Sequence, residues 1–217
     1  MLITIADRPV LAMRLTLPAM GRWTCSAELD GDEAPEGQVE IVQGDVRLSG
    51  TVYRAGIVAG TLRAIVVGGA GGIGRGIPAR SYQGVTARAV VEDLLAAAGE
   101  RLDSMSTRDA LTAALPYWTR TGGPAGSALS TLVQHLGLSW RMLPAGSVWV
   151  GRESWPSAPE TFAATELDRD HTSQTVLLAP EGIGLFPGVT YRGDRVDRVE
   201  YVVTRDGPLR ATYWIDS

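Results

Sequence analysis

The sequence predicts an α+β fold, in which a β framework drawn from both ends of the chain carries an inserted α/β unit. Three observations predict it. From Leu2 to Val67, short apolar or alternating runs are separated by turn residues, the pattern of half-buried antiparallel strands. Beyond Pro78 the apolar residues recur at helical spacing, and after Thr175 the strand pattern returns. The boundaries follow from these changes of period: residues 1–79 as an N-terminal β domain, 80–155 as the α/β insertion, 156–174 as a linker and 175–217 as a C-terminal β segment.

In the first third, LITIAD, VLAMRLTLP, RWTCSAELD and GQVEIVQGDVRLSGTVYRAGIVAGTLRAIVV supply the strands. Val39, Ile41, Val46 and Leu48 alternate with polar residues, which places them on one face of a sheet. Asp30 to Glu33, DGDE, reads as a solvated turn, because it lacks the ligand series and terminal glutamate of a calcium loop.

The stretch VVGGAGGIGRGI, Val66 to Ile77, holds Gly69, Gly71 and Gly74 in the spacing G-x-G-x-x-G after the apolar run Leu62–Val67. A dinucleotide site also needs a helix N-terminus facing the pyrophosphate and an acid about 20 positions further on. Gly76 and Pro78 fall where the first helical turns would have to be, and the acids at that distance, Glu92 and Asp93, lie inside a later helical pattern. GGAGGIG looks like the short-chain dehydrogenases, but their Tyr-x-x-x-Lys pair is impossible in a chain without lysine. The glycines are therefore read as a bend between strands where φ > 0 is required, and no cofactor is expected.

GVTARAVVEDLLAAAGE predicts a helix with Thr86 as N-cap, Val90, Val91, Leu94, Leu95 and Ala98 on its buried face, and Gly99 just past its end. A shorter helix is expected from about Ser106 to Leu115, ending before Pro116. A third starts near Pro124, buries Leu129, Leu132, Val133 and Leu136, and stops at Gly137. LSWRMLPAGSVWVG reads as a hairpin turning at Pro144, Ala145 and Gly146. These elements are expected to share a core of their own, followed by the polar connector RESWPSAPETFAATELDRDHTSQ. The last strand, Leu209–Ile215, is marginal alone, so it is expected to join the N-terminal third in one sheet.

With 217 residues the chain can bury about 70% of its unfolded surface without covalent staples. A lone Cys25 excludes a disulfide framework and a cysteine-based zinc site, and His135 and His171 have no ligand-spaced partners, so both read as surface histidines and no metal is expected. Twenty arginines against 24 acids give a net charge of −4 with no basic block, which argues against sequence-specific nucleic-acid binding. Asp7, Arg8 and Pro9 break the first apolar run, so neither a signal peptide nor a membrane span is expected there.

No catalytic constellation emerges, and the chain is not expected to be an enzyme. Ser127 and Ser147 lack the glycine spacing of a nucleophile elbow, and the missing lysine excludes a P-loop and Schiff-base chemistry. Glu153, Glu160 and Glu166 could in principle hold a glycosidase pair, though carboxylates in a polar connector are ordinarily solvated. Trp140, Trp149 and Trp214 could serve a sugar platform, but they stand in strands, where burial is the default. These residues leave a cell-wall glycan-binding or glycan-hydrolysing module as the alternative class.

Three stretches carry a resemblance: ARSYQGVTARAVVEDLLAAAGE, WTRTGGPAGSALSTLVQHLGLSWRMLPAGSVWVG and PGVTYRGDRVDRVEYVVTRDGPLRATYW. Together they resemble, in order, the baseplate hub proteins of phage tails, the group of late control protein D and the Mu-type contractile-tail hubs. The resemblance covers most of residues 61 to 217 and brings no catalytic residue. It implies a β-barrel-like hub framework with an α/β insertion, and a homotrimer forming a ring between the tail tube and the spike or tail-tip protein. It further implies a place in the virion tail after assembly in the bacterial host cytoplasm. A ring that passes cargo is expected to have an acidic or neutral lumen.

Overall fold

The computed structural model describes residues 2–106 and 108–216. The first third contains β1 (Thr4–Ile5), β2 (Arg8–Pro18), β3 (Thr24–Leu29), β4 (Gln38–Gln43), β5 (Val46–Val58) and β6 (Thr61–Gly68). These antiparallel strands run in the order β1-β4-β5-β6-β3-β2, and β2 pairs back onto β1, so they close into a six-stranded barrel. Alternation selects its interior: Cys25, Ala27 and Leu29 from β3, Val39 and Ile41 from β4, and Leu62, Ala64 and Val66 from β6 are buried. The β1–β2 connection is tight because both Ala6 and Asp7 adopt left-handed φ, 50° and 61°, the twist a two-residue hairpin needs.

The chain then leaves the barrel through one 3-10 turn, Gly72–Gly74, into β7 (Gly76–Ile77), β8 (Arg80–Thr86), α1 (Ala87–Ala98), α2 (Arg108–Leu111), β9 (Ala114–Arg120), β10 (Gly123–Pro124), α3 (Ala125–His135), β11 (Ser139–Met142) and β12 (Val148–Gly151). Its strands form three separate two-stranded sheets, β7–β10, β8–β9 and β11–β12. The Thr86 side chain caps α1 by accepting the Ala89 amide, and Gly99 ends it at φ 77°. The expected hairpin is present, with Trp140 opposite Val150 and Arg141 opposite Trp149.

The helix expected from Ser106 to Leu115 is corrected. Only α2 is helical there, and Thr107 lies outside the described residues. Ala114–Arg120 is instead a strand antiparallel to β8, with Leu115 opposite Val85 and Tyr117 opposite Gln83. Helix-favouring Ala114 and Leu115 are overridden by a run of Tyr117, Trp118 and Thr119 that fits a paired ribbon, around a proline that no helix interior tolerates.

The remaining strands are β13 (Ala164–Asp170), β14 (Thr175–Pro180), β15 (Thr190–Tyr191), β16 (Asp194–Val203) and β17 (Arg210–Ile215). β13 lies within residues 156–174, which the sequence reads as connector; its charges conceal it because both of its faces are largely solvated. The barrel sheet continues from β2 through β16, β17 and β14 to β13. Tyr201 of β16 stands opposite Leu15 of β2, and β17 sits between β16 and β14, so the two ends of the chain share one sheet.

A single contiguous core runs from Ile5, Leu15 and Trp23 through Val90, Leu94, Leu129 and Leu132 to Val176, Val199 and Tyr213. The middle segment therefore does not keep a core to itself, as its own helical periodicity suggests. Its apolar helix faces complete the interior that the barrel begins. Polar ties hold the C-terminal segment: Gln43 Oε1 at the end of β4 accepts the Ile183 amide at 2.5 Å, and within the segment the buried Tyr201 hydroxyl accepts from Leu185 N–H at 2.7 Å while donating to Leu185 O at 2.9 Å. Burial pushes the Tyr201 phenol well above its ordinary pKa.

Candidate interaction surface

The glycine stretch is resolved by its hydrogen bonds. Gly69 and Gly71 take φ 75° and 76°, as the bend requires, and no α-helix opens after Gly74. The amides that would cradle a phosphate meet a carboxylate of the chain itself: Ala70 N–H donates to Glu100 Oε2 at 3.0 Å and Gly72 N–H to Glu100 Oε1 at 2.7 Å. Glu100 is only 8% exposed. Glycine is also needed for space, since a Cβ on Gly72 would stand 1.8 Å from the Ala98 carbonyl oxygen and one on Gly69 2.6 Å from Glu100 Oε2. Glu92 pairs with Arg88 one helical turn away, and Asp93 accepts from Arg80, Arg120 and the Tyr82 hydroxyl, tying the β8–β9 ribbon to α1.

The other residues singled out in the sequence do not converge. Ser147 is buried and donates to Asp103 at 2.6 Å, whereas Ser127 is exposed on α3. Glu153 is held bidentate by Arg141 at 2.6 and 2.9 Å, Glu166 is held by Arg169, and Glu160 is exposed. His135 and His171 are exposed, and among the described residues no three His, Cys, Asp or Glu side chains cluster as metal ligands do. Trp140 is buried and bonds Ser130, while Trp149 and Trp214 carry the guanidinium groups of Arg141 and Arg198 at 4.3 and 3.5 Å from their ring centres. No helix is long and apolar enough to cross a membrane among the described residues.

What the fold presents outward is sheet. β4 covers β5 only from Val46 to Thr51, with a last bond from Val52 N–H to Gly37 O. From Tyr53 to Val58, β5 has β6 on one side and, among the described residues, no backbone partner on the other. This overhang is apolar and exposed: Tyr53 is 70% accessible, Ile57 57%, Val58 52% and, on β6, Ile65 40%. Beside it a cleft of about 790 Å³ runs across β16, β2, β3, β6 and β5, lined by Met13, Arg14, Ala55, Ile57, Ile65 and Val202. Ile57, opposite the buried Leu62, lies on one face of this ribbon, and Ile65, opposite Arg54, lies on the other. Several exposed apolar side chains on one overhang mark an interaction surface more than a lone exposed leucine does.

The other open boundary is β13, which among the described residues pairs only with β14. A bulge between Glu166 and Asp168 interrupts it, Leu167 is 47% exposed, and Glu166, Asp168 and Asp170 make it acidic. The hydrogen bond from Arg169 leads the influences that hold Glu166 below the usual carboxylate range, and bonds from Ser173 and Thr172 do the same for Asp170. Sequence reading finds neither edge, because alternation reports which face is buried and not which side of a strand has a neighbour. One signal was available: TVYRAGIV loses the strict alternation of the rest of β5.

No protein family matches this chain, and no curated protein does. Solved structures do. A tail protein from Neisseria meningitidis is similar over 100% of this chain and 96% of its own, with TM-score 0.68 and 12% identity. The 43 kDa tail protein of prophage MuSo2 from Shewanella oneidensis is similar over 99% and 97%, with TM-score 0.70 and 10% identity. An E. coli component of the type VI secretion system, described as structurally similar to T4 phage tail proteins gp27 and gp5, is similar over 99% and 77%, with TM-score 0.68 and 13% identity. The chain has the fold of these tail and secretion proteins.

Proposed function

We propose that this chain is a structural component of a phage or phage-like tail. In this reading it forms the baseplate or tail-tip hub ring that joins the tail tube to the spike or tip, as the late control protein D and Mu-type hubs do. The observation that carries the reading is the likeness to two tail proteins and one secretion-system component over 99–100% of this chain. The placement of the candidate catalytic residues supports it, since each is engaged in an internal pair or stands apart from the others. Residues 1–79 and 175–217, with β13, are the hub framework, and 80–155 is the α/β insertion that completes its core.

The chain acts by packing against copies of itself and against the tail tube and spike proteins, without catalysis, cofactor, metal or sequence-specific nucleic-acid binding. Its copies form a homotrimer whose lumen is acidic or neutral. Its place is the virion tail, assembled in the bacterial host cytoplasm. Negative-stain imaging of the purified protein tests this: rings with a central channel are expected. A protein that stays monomeric at tens of micromolar, alone and with tube and spike proteins, overturns it.

A further inference from the structure

We infer that the unpaired edge of β5 in one copy, Tyr53–Val58, takes up β13, Ala164–Asp170, of the next copy, so that the large sheet continues from molecule to molecule. This rests on the ring reading and names the contact that builds the ring. The closed barrel has no edge where β1 joins β4 and β2, and among the described residues these two segments are the longest stretches of the eleven-stranded sheet paired on one side only. Each exposes amide and carbonyl groups that another strand satisfies, although the first of β13, Ala164 O, already accepts from Arg192 at 2.8 Å. Their lengths match, six unpaired residues against seven.

Charge selects the pairing. The β5 edge carries Arg54 and no acid, whereas β13 carries Glu166, Asp168 and Asp170 against Arg169, with Arg192 also pairing with Glu166 at 3.6 Å, so that Asp168 is the acid that faces a partner most freely. Two β5 edges meeting about a two-fold axis would oppose like charges and leave both acidic strands open, and two β13 edges would oppose carboxylates. The bulge and acids of β13 guard it against generic strands, and an arginine-bearing partner turns that guard into attraction. Leu167, projecting at the bulge, supplies apolar cover for Ile57 or Val58. Because the two edges lie on different parts of one molecule, the contact is head-to-tail, the kind that generates a ring when its rotation closes and a filament when it does not.

Two experiments test it in the full chain. Arg54→Glu and Asp168→Arg change exposed side chains, so each variant should keep the circular dichroism and melting of the parent while its assembly, followed by analytical ultracentrifugation, weakens at least about tenfold. The double variant should recover assembly. Separately, Val58→Cys or Ile57→Cys protein mixed with Leu167→Cys protein should form a disulfide-linked dimer on oxidation, which the single preparations do not form; Cys25 is buried and stays out of the reaction. An oligomer indifferent to both charge swaps, with no mixed disulfide, overturns this contact and leaves the hub reading standing. Disulfides between two Val58→Cys copies also overturn it. A monomeric parent overturns both.

Discussion

The Glu100 carboxylate receives the amide of Gly72 at 2.7 Å across 28 residues of sequence, just where α1 ends and the glycine bend begins. The chain thus fills its own anion cradle. Glu100→Ala should leave the Ala70 and Gly72 amides without an acceptor and cost about 2–4 kcal/mol in urea unfolding, with Glu100→Gln recovering part of the loss. NAD, NADP or ATP at millimolar concentration should not shift the melting temperature; a saturable shift would contradict the internal role of these amides.

Gly72→Ala should be worse than Gly71→Ala, although only Gly71 has positive φ. The added methyl at 72 collides with the Ala98 carbonyl, whereas at 71 it meets Thr51 at an ordinary 3.5 Å. A loss of at least about 3 kcal/mol is expected at 72 and about 1 kcal/mol at 71. Equal effects would mean that backbone strain, not close approach, governs the bend.

Arg141 ties three parts of the molecule: it bonds Glu153 bidentate, donates to Ala19 O at 3.2 Å and covers Trp149. Arg141→Ala leaves Glu153, 15% exposed, without its partner, and should cost about 2–4 kcal/mol. Arg141→Lys keeps the charge but loses the fork and the stacking, so chemical denaturation should show only partial rescue.

Alkali should destabilise the fold through tyrosine. Burial first, and then the bond to Asp93, push Tyr82 up to about 12 from an ordinary 10, and burial also raises Tyr201 and Tyr213. Each keeps its proton longer folded than unfolded, so the stability they contribute is intact below about pH 10 and falls as pH rises through the folded values. Ultraviolet titration of Tyr82→Phe should show one late-ionising tyrosine fewer and a gentler loss of stability between pH 10 and 12.

Deleting residues 208–217 removes β17 from between β16 and β14 and strands β13 and β14 beyond it. Insoluble or unassembled protein is expected. A deleted chain that sediments as the parent does would show that β17 is dispensable to the framework.

How much of this was legible in the sequence depends on what each signal reports. Thr86, Gly99 and the 3.6-residue spacing from Val90 to Ala98 specify α1 locally, and α1 is where the sequence expects it. The barrel strands announce themselves through alternation, because one face of each is dry. β8, β9 and β13 do not: their residues are mostly solvated, so no periodicity records them, and their existence depends on pairing with remote segments. The same holds for the interaction surface. Ile57 and Val58 look like barrel residues until the fold shows that β4 stops short of them.

β2 pairs with β1 at Arg8 and Pro9, with β3 along most of its length, and with β16 from Met13 to Pro18. This gives the chain a temporal order. All the strands of the barrel lie within the first third and can pair before the helices that complete their interior are made. β16 emerges on the order of ten seconds later at ~5–20 residues per second. Throughout that interval the outer side of β2 is a finished but unoccupied template, and any neighbouring nascent chain offers it a strand. Slower translation or crowding of polysomes should therefore favour domain-swapped or aggregated product, and chaperones that hold exposed sheet margins should raise the yield.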